Sequence, residues 1–142
     1  MPATLATLAL LAAAAVQATP SETSTPSIEG RWKSPGGNSI IEIAPCGSQM
    51  CGTVAWASAS AKQASAKVTD QLVGTQLLTG LEQDKDGRWR GKLFIPDKNM
   101  RVTAKIQLVS AAQLKVSGCA VGGALCRSDL WNRLDGPLPA SD

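Results

Sequence analysis

The sequence predicts an all-β fold, a small eight-stranded antiparallel up-and-down barrel with a short helical or mobile lid segment, on three observations. Arg88 to Ile95 and Met100 to Leu108 alternate apolar and polar residues, the period of a strand with one buried face. Further short runs recur between Gly30 and Leu134, separated by Gly-, Pro- and Asn-containing turns. Gly30-Arg31-Trp32 opens the first run and Trp131-Asn132-Arg133 closes the last, so a closed barrel would make them neighbours.

The chain of 142 residues sets an expectation of one domain, and its 44% hydrophobic and 18% charged residues exclude a highly charged disordered protein. Residues 1–18 read as a secretory signal: Leu5 to Val16 is a short apolar stretch, and Val16-Gln17-Ala18 offers small residues for cleavage after Ala18. The expected product is periplasmic or secreted, with no transmembrane span after cleavage. Residues 19–29, rich in Ser, Thr and Pro, read as a disordered leader, 30–134 as the barrel domain and 135–142 as a loose tail.

Within the barrel, Gly30 to Lys33 is the first strand. Ser39 to Ala44 and Gly52 to Trp56 form the next hairpin across Cys46-Gly47-Ser48-Gln49-Met50-Cys51. Placing Cys46 opposite Cys51 sets Ile43 against Val54 and Ile41 against Trp56, which gathers the apolar residues on one face. Ser58 to Asp70 breaks the alternation; it is Ala-rich and poor in β-branched residues, and reads as a helix or a mobile lid over the mouth. Gln76 to Gln83 is the fourth strand, and Asp84-Lys85-Asp86-Gly87 after it is hairpin-turn chemistry rather than a carboxylate pair.

The fifth and sixth strands pair about Pro96-Asp97-Lys98-Asn99, setting Trp89 against Ile106 and Leu93 against Val102. The same register puts Arg90 opposite Lys105, a like-charge pair that costs stability unless a bulge shifts it or something acidic meets the patch. Gly91 and Ala104, opposite each other, either leave a cavity or admit a large side chain. Gln113 to Gly118 and Arg127 to Leu134 complete the eight strands.

Four cysteines in an exported chain imply two disulfides with three possible connectivities, and local pairing, Cys46–Cys51 and Cys119–Cys126, fits the hairpin loops best. The spacings do not suit a zinc site, and no metal or cofactor is expected. With His 0, triads and His-ligated metal chemistry are excluded; the chain reads as no enzyme, leaving at most a hydrolase without His. Nucleic acid is not an expected partner of an exported chain without a stacking platform.

Arg133 on the last strand can lie across Trp32 of the first and seal the barrel floor by a cation–π contact. If Trp131 faces inward, Arg127 and Asp129 do so too, either as a polar anchor for a carboxylate or phosphate head group or as wet rim residues. Trp56 and Trp89 are bulky inward candidates, as core filling or as a ligand wall. The candidate ligand residues are therefore Trp56, Trp89, Arg127, Asp129 and Trp131.

Residues 30–134 hold all 14 basic residues and seven of the 11 acids, a net charge of +7, which favours anionic partners. The leading functional expectation is a non-enzymatic periplasmic binding protein for a small amphipathic or lipid-like ligand held in a Trp-lined barrel. The alternative is a cell-envelope protein-interaction module, or one that meets an anionic lipid surface, through a basic outer face of Arg88, Arg90, Lys92, Arg101 and Lys105.

Gly-x-Trp with an Arg on the terminal strand resembles the signature of the calycin barrels, the lipocalins and avidin-like proteins. The chain from Gly30 to Leu134 more narrowly resembles the exported bacterial family known as domain of unknown function 2147. Gly30-Arg31-Trp32, Ile41-Glu42-Ile43-Ala44-Pro45-Cys46, Met50-Cys51-Gly52-Thr53-Val54-Ala55-Trp56, Gly91-Lys92-Leu93-Phe94-Ile95-Pro96, Leu114-Lys115-Val116-Ser117-Gly118-Cys119 and Leu125-Cys126-Arg127-Ser128-Asp129-Leu130-Trp131-Asn132-Arg133-Leu134 carry that resemblance. It implies a lipocalin-like barrel in the cell envelope and no established catalytic residues. The chain departs from the family pattern at Lys62 to Gly74, which lacks an Asn-Pro pair, and at Val102, near where members often carry Tyr.

Overall fold

The computed structural model describes residues 3, 12–14, 26–120 and 125–140. Most of residues 1–18, expected to be a signal, and most of the expected leader lie outside them, as do the tip of the Cys119–Cys126 loop and the last two residues. Eight antiparallel strands close into a barrel: β1 (Gly30–Lys33), β2 (Ser39–Cys46), β3 (Gln49–Ala57), β4 (Gln76–Gln83), β5 (Trp89–Ile95), β6 (Met100–Ser110), β7 (Gln113–Ala120) and β8 (Leu125–Leu134). Each strand pairs with its sequence neighbour, and β1 pairs with β8 through Trp32 and Arg133.

Inward side chains form one continuous core that includes Trp32, Ile41, Ile43, Leu78, Leu81, Ile106 and Leu114, and closure leaves no sheet edge exposed. One end of the barrel carries the β2–β3, β4–β5 and β6–β7 turns, none longer than five residues. The other carries the long β3–β4 connection together with the β1–β2, β5–β6 and β7–β8 connections.

The β5–β6 hairpin has the register that its turn demands: Trp89 faces Ile106, Gly91 faces Ala104 and Leu93 faces Val102. Asn99 closes that turn with φ 49°, a left-handed conformation that Asn tolerates well. No bulge separates Arg90 from Lys105; instead Arg90 Nε donates to the Asp84 carboxylate at 3.3 Å. Gly91 leaves no cavity, because a Cβ there would lie 2.5 Å from the Thr79 carbonyl oxygen and 2.8 Å from Leu81 Cδ2. The β4 backbone itself occupies the space that the missing side chain opens.

The β2–β3 hairpin corrects the sequence expectation. Cys46 faces Gln49 across a two-residue turn, so Ile43 pairs with Gly52 and Ile41 with Val54. The shift is two residues, which at period two leaves every side chain on its face. Face-sorting therefore could not distinguish the two registers. A bulge at Ile40/Ile41 then adds Ala55 to β3 and inverts the parity beyond it. Ala57 turns into the core, and Trp56 pairs with Ile40, a fully buried residue that lies outside the barrel's core cluster.

The segment Ser58 to Asp70 contains a helix, α1 (Ala59–Ala64). Ser58 caps it by accepting from the Ala61 amide at 3.2 Å. Turns follow, and Ser65 and Leu72 are buried where this connection folds over the β2–β4 side of the long-loop end.

Candidate functional site: a cavity at the open end of the barrel

The short-turn end is sealed. Arg133 lies with its guanidinium carbon 4.2 Å from the Trp32 ring centroid. Its fork donates to three backbone carbonyls: Nε to Ala111 at 2.7 Å, Nη1 to Glu29 at 2.8 Å and Nη2 to Ser27 at 2.6 Å. Trp32, fully buried, donates from Nε1 to the Ile28 carbonyl at 2.8 Å. Residues 26–29, assigned by composition to the leader, thus carry three of the carbonyls on which the floor is tied. One planar cation satisfies carbonyls from two segments that no strand ladder reaches.

The long-loop end holds two recesses. One, of about 430 Å³, lies beneath α1, between Ala61, Ala64 and Leu72 on one side and Asn38, Leu77 and Pro96 on the other. The second, of about 210 Å³, lies in the barrel mouth on the β5–β8 side. Its wall is apolar, from Leu93, Ile95, Val102, Val116 and Leu125, with Trp131 at its base. It exists because the inward residues of β7 shrink towards the mouth, from Leu114 and Val116 to Gly118 and Ala120. Opposite Gly118 and Val116 on β8 stand Arg127 and Asp129. Both line the mouth, both are exposed, and no ion pair joins them.

The structure therefore brings Arg127, Asp129 and Trp131 together, and does not bring Trp56 or Trp89 to them. Trp56 is corrected from wall to exterior: it stands on the outer face and donates from Nε1 to the Ala140 carbonyl at 3.2 Å. The tail beyond Leu134, expected to be loose, returns along the barrel to that ring. Trp89 points inward but packs against the sealed core, opposite Ile106. Sequence reading missed Val102, Val116, Gly118 and Ala120 as cavity residues. The available signal was the falling side-chain size along the inward positions of the seventh strand.

Cys46 and Cys51 are joined, as are Cys119 and Cys126, with Cα–Cα distances of 5.8 and 4.0 Å. Cys119 and Cys126 face each other directly across β7 and β8, beside the mouth. Among the described residues, Asp84 is the titratable group whose pKa is displaced. Desolvation pushes its carboxyl up, but the amides of Arg88 and Asp86 and the Arg90 guanidinium outweigh it and hold the group below the ordinary carboxylate value. It locks the β4–β5 turn and lies far from the mouth in the topology. Among the described residues no three His, Cys, Asp or Glu side chains gather to hold a metal, and no helix is long and apolar enough to cross a membrane.

A closed eight-stranded antiparallel barrel with a sealed floor, an open mouth and one short helix is the architecture of a lipocalin-like protein. The structure is similar to that of protein HP1028 from the human pathogen Helicobacter pylori, which belongs to the lipocalin family. The TM-score is 0.60 at 12% identity, over 78% of this chain and 85% of that one, so the likeness is one of fold. The chain belongs to the family described as an uncharacterized protein conserved in bacteria, DUF2147, whose model matches residues 30–133. No curated protein matches the chain in sequence.

Proposed function

We propose that this protein is a non-enzymatic, exported binding protein, periplasmic in a cell with two membranes, whose ligand is a small amphiphile. The carrying observation is the cavity at the mouth, with apolar walls, Trp131 beneath and Arg127 and Asp129 at its opening. The ligand's apolar part lies against Trp131 and Val116, and its carboxylate or phosphate meets Arg127. Asp129 is placed to accept from a hydroxyl or ammonium group. The disulfides, the bacterial family and the lipocalin-like fold support the compartment and the binding role.

Size limits the ligand. About 210 Å³ is the liquid volume of roughly seven waters, below the usual range for drug-sized ligands. A short acyl tail or a single ring fits, whereas a full-length fatty acid does not. Burying about 200 Å² of apolar ligand surface yields roughly 5 kcal/mol, comparable with the cost of association alone. The head-group contact therefore decides whether binding is measurable, and Arg127→Ala should weaken it by about tenfold.

The test is native mass spectrometry of the mature protein purified gently from its own envelope, beside a delipidated control. The expected result is a small co-purifying mass that is absent after delipidation and absent from Ala120→Phe, which plugs the mouth. A bare polypeptide mass in every preparation would overturn the proposal.

A further inference from the structure

The outer wall on the β5–β8 side carries a second feature, separated from the mouth cavity by the sheet itself. A groove of about 210 Å³ runs between Arg88, Lys105 and Lys115, with Gln107 and Ser117 as neutral hydrogen-bonding groups. The three cations come from three adjacent strands or their ends: Arg88 immediately before β5, Lys105 on β6 and Lys115 on β7. Cross-strand pairing of like charges is destabilising, and here Arg90 also faces Lys105. Asp84 neutralises Arg90, yet among the described residues no carboxylate forms an ion pair with Arg88, Lys105 or Lys115. This cluster works against the stability of the barrel, and a negatively charged partner is what would relieve it.

The neighbours of the groove identify the kind of partner. Leu130 is the direct cross-strand partner of Lys115 and is 49% exposed. Val109, two residues beyond Gln107 on β6 where the register with β7 shifts, is 55% exposed. A soluble anion has no use for two bare aliphatic side chains beside its cations. A membrane surface uses both: head-group charge attracts the Lys and Arg residues, and the aliphatic groups enter the boundary between head groups and acyl chains.

We propose that this face docks the protein side-on against an anionic phospholipid surface, with a head-group phosphate seated between Arg88, Lys105 and Lys115. The proposal stands apart from the carrier reading, since none of these residues lines the mouth cavity.

The experiment is co-sedimentation of the mature protein with vesicles of phosphatidylglycerol and phosphatidylcholine, against vesicles of phosphatidylcholine alone. Binding to the anionic vesicles alone, weakened as salt is raised, is expected. Each basic side chain near such a surface is worth roughly fivefold in partitioning, so R88Q/K105Q/K115Q together should weaken it by about a hundredfold. Leu130→Ser should weaken it further while leaving the charge unchanged. Thermal melts of both variants establish that the barrel is folded, and native mass spectrometry shows whether the mouth still holds its ligand. Failure of one proposal is thereby distinguishable from failure of the other. Full binding by the triple variant, equal binding to both vesicle types, or capture of inorganic phosphate or a protein partner without vesicle binding would each overturn the docking proposal.

Discussion

Arg133→Ala should be among the most damaging single substitutions of a charged residue in this barrel, and the structure allows its size to be worked out. The wild-type guanidinium makes three bonds of 2.6 to 2.8 Å to backbone carbonyls and one ring contact at 4.2 Å. Hydrogen bonds to charged groups contribute about 1.5–3 kcal/mol each when buried, but Arg133 is only half-buried and its carbonyls can turn to water. Discounting each to roughly 0.5–1 kcal/mol gives about 2 kcal/mol. The cation–π contact adds about 0.5–1 kcal/mol, for a total near 3 kcal/mol. In a domain of this size that lowers Tm by roughly 12–20 °C.

Arg133→Lys keeps a cation near Trp32 but reaches fewer of the carbonyls, so it should lose about two thirds as much. The assay is thermal and urea unfolding of the mature protein followed by tryptophan fluorescence. A double-mutant cycle with Trp32→Leu should show a coupling of roughly 0.5–1 kcal/mol. A total loss below about 1 kcal/mol for Arg133→Ala would refute the reasoning, because the fork would then not be holding residues 26–29 to the floor.

The remaining predictions concern the turns and the backbone. Gly30 has φ +129°, and a Cβ there would lie 2.6 Å from Arg133 Nη1, so Gly30→Ala should cost about 2–4 kcal/mol in urea unfolding and abolish the Trp32–Arg133 coupling. The Cys119→Ser/Cys126→Ser double variant opens a loop with a sequence separation of seven residues and should cost about 2 kcal/mol, read as a lower urea midpoint. Asp84 has a folded pKa below its unfolded value, so its contribution is present above about pH 3.9 and is lost as pH falls through the folded value. Asp84→Asn should therefore flatten the acid limb of the stability–pH profile below pH ~4 and leave the neutral region less stable than in the wild type.

Most of the strand content was legible in the sequence because one face of each strand meets the core and the other meets water. That alternation places Trp89, Leu93, Val102 and Ile106 inward, and the Pro96–Asn99 turn sets their pairing. The candidate site was legible only in part. Trp131, Arg127 and Asp129 share a face by simple parity, so their common location follows from position alone. The cavity between them depends on what the other strands leave unfilled, and no local pattern encodes that.

Trp56 shows the limit most clearly. The sequence has it in phase with Val54, but the extra residue at Ala55 moves it outside, where the tail carbonyl of Ala140 receives its N–H. A bulge lowers its energy through contacts made elsewhere in the fold, so its position is invisible along the strand. The two-residue offset of the β2–β3 register is hidden for a related reason: period-two patterning is unchanged by an even slip.

By itself, then, the sequence determined the barrel, its strand order, the facing of most side chains and the local cysteine pairs, since each rests on periodicity or short-range geometry. The tertiary structure alone decided the register of the first long hairpin, the sealing of one end by Arg133 on the Ser27 and Glu29 carbonyls, and the empty volume at the other. Those three depend on side-chain volumes and backbone groups far apart in the chain, and only closure of the barrel brings them within contact distance.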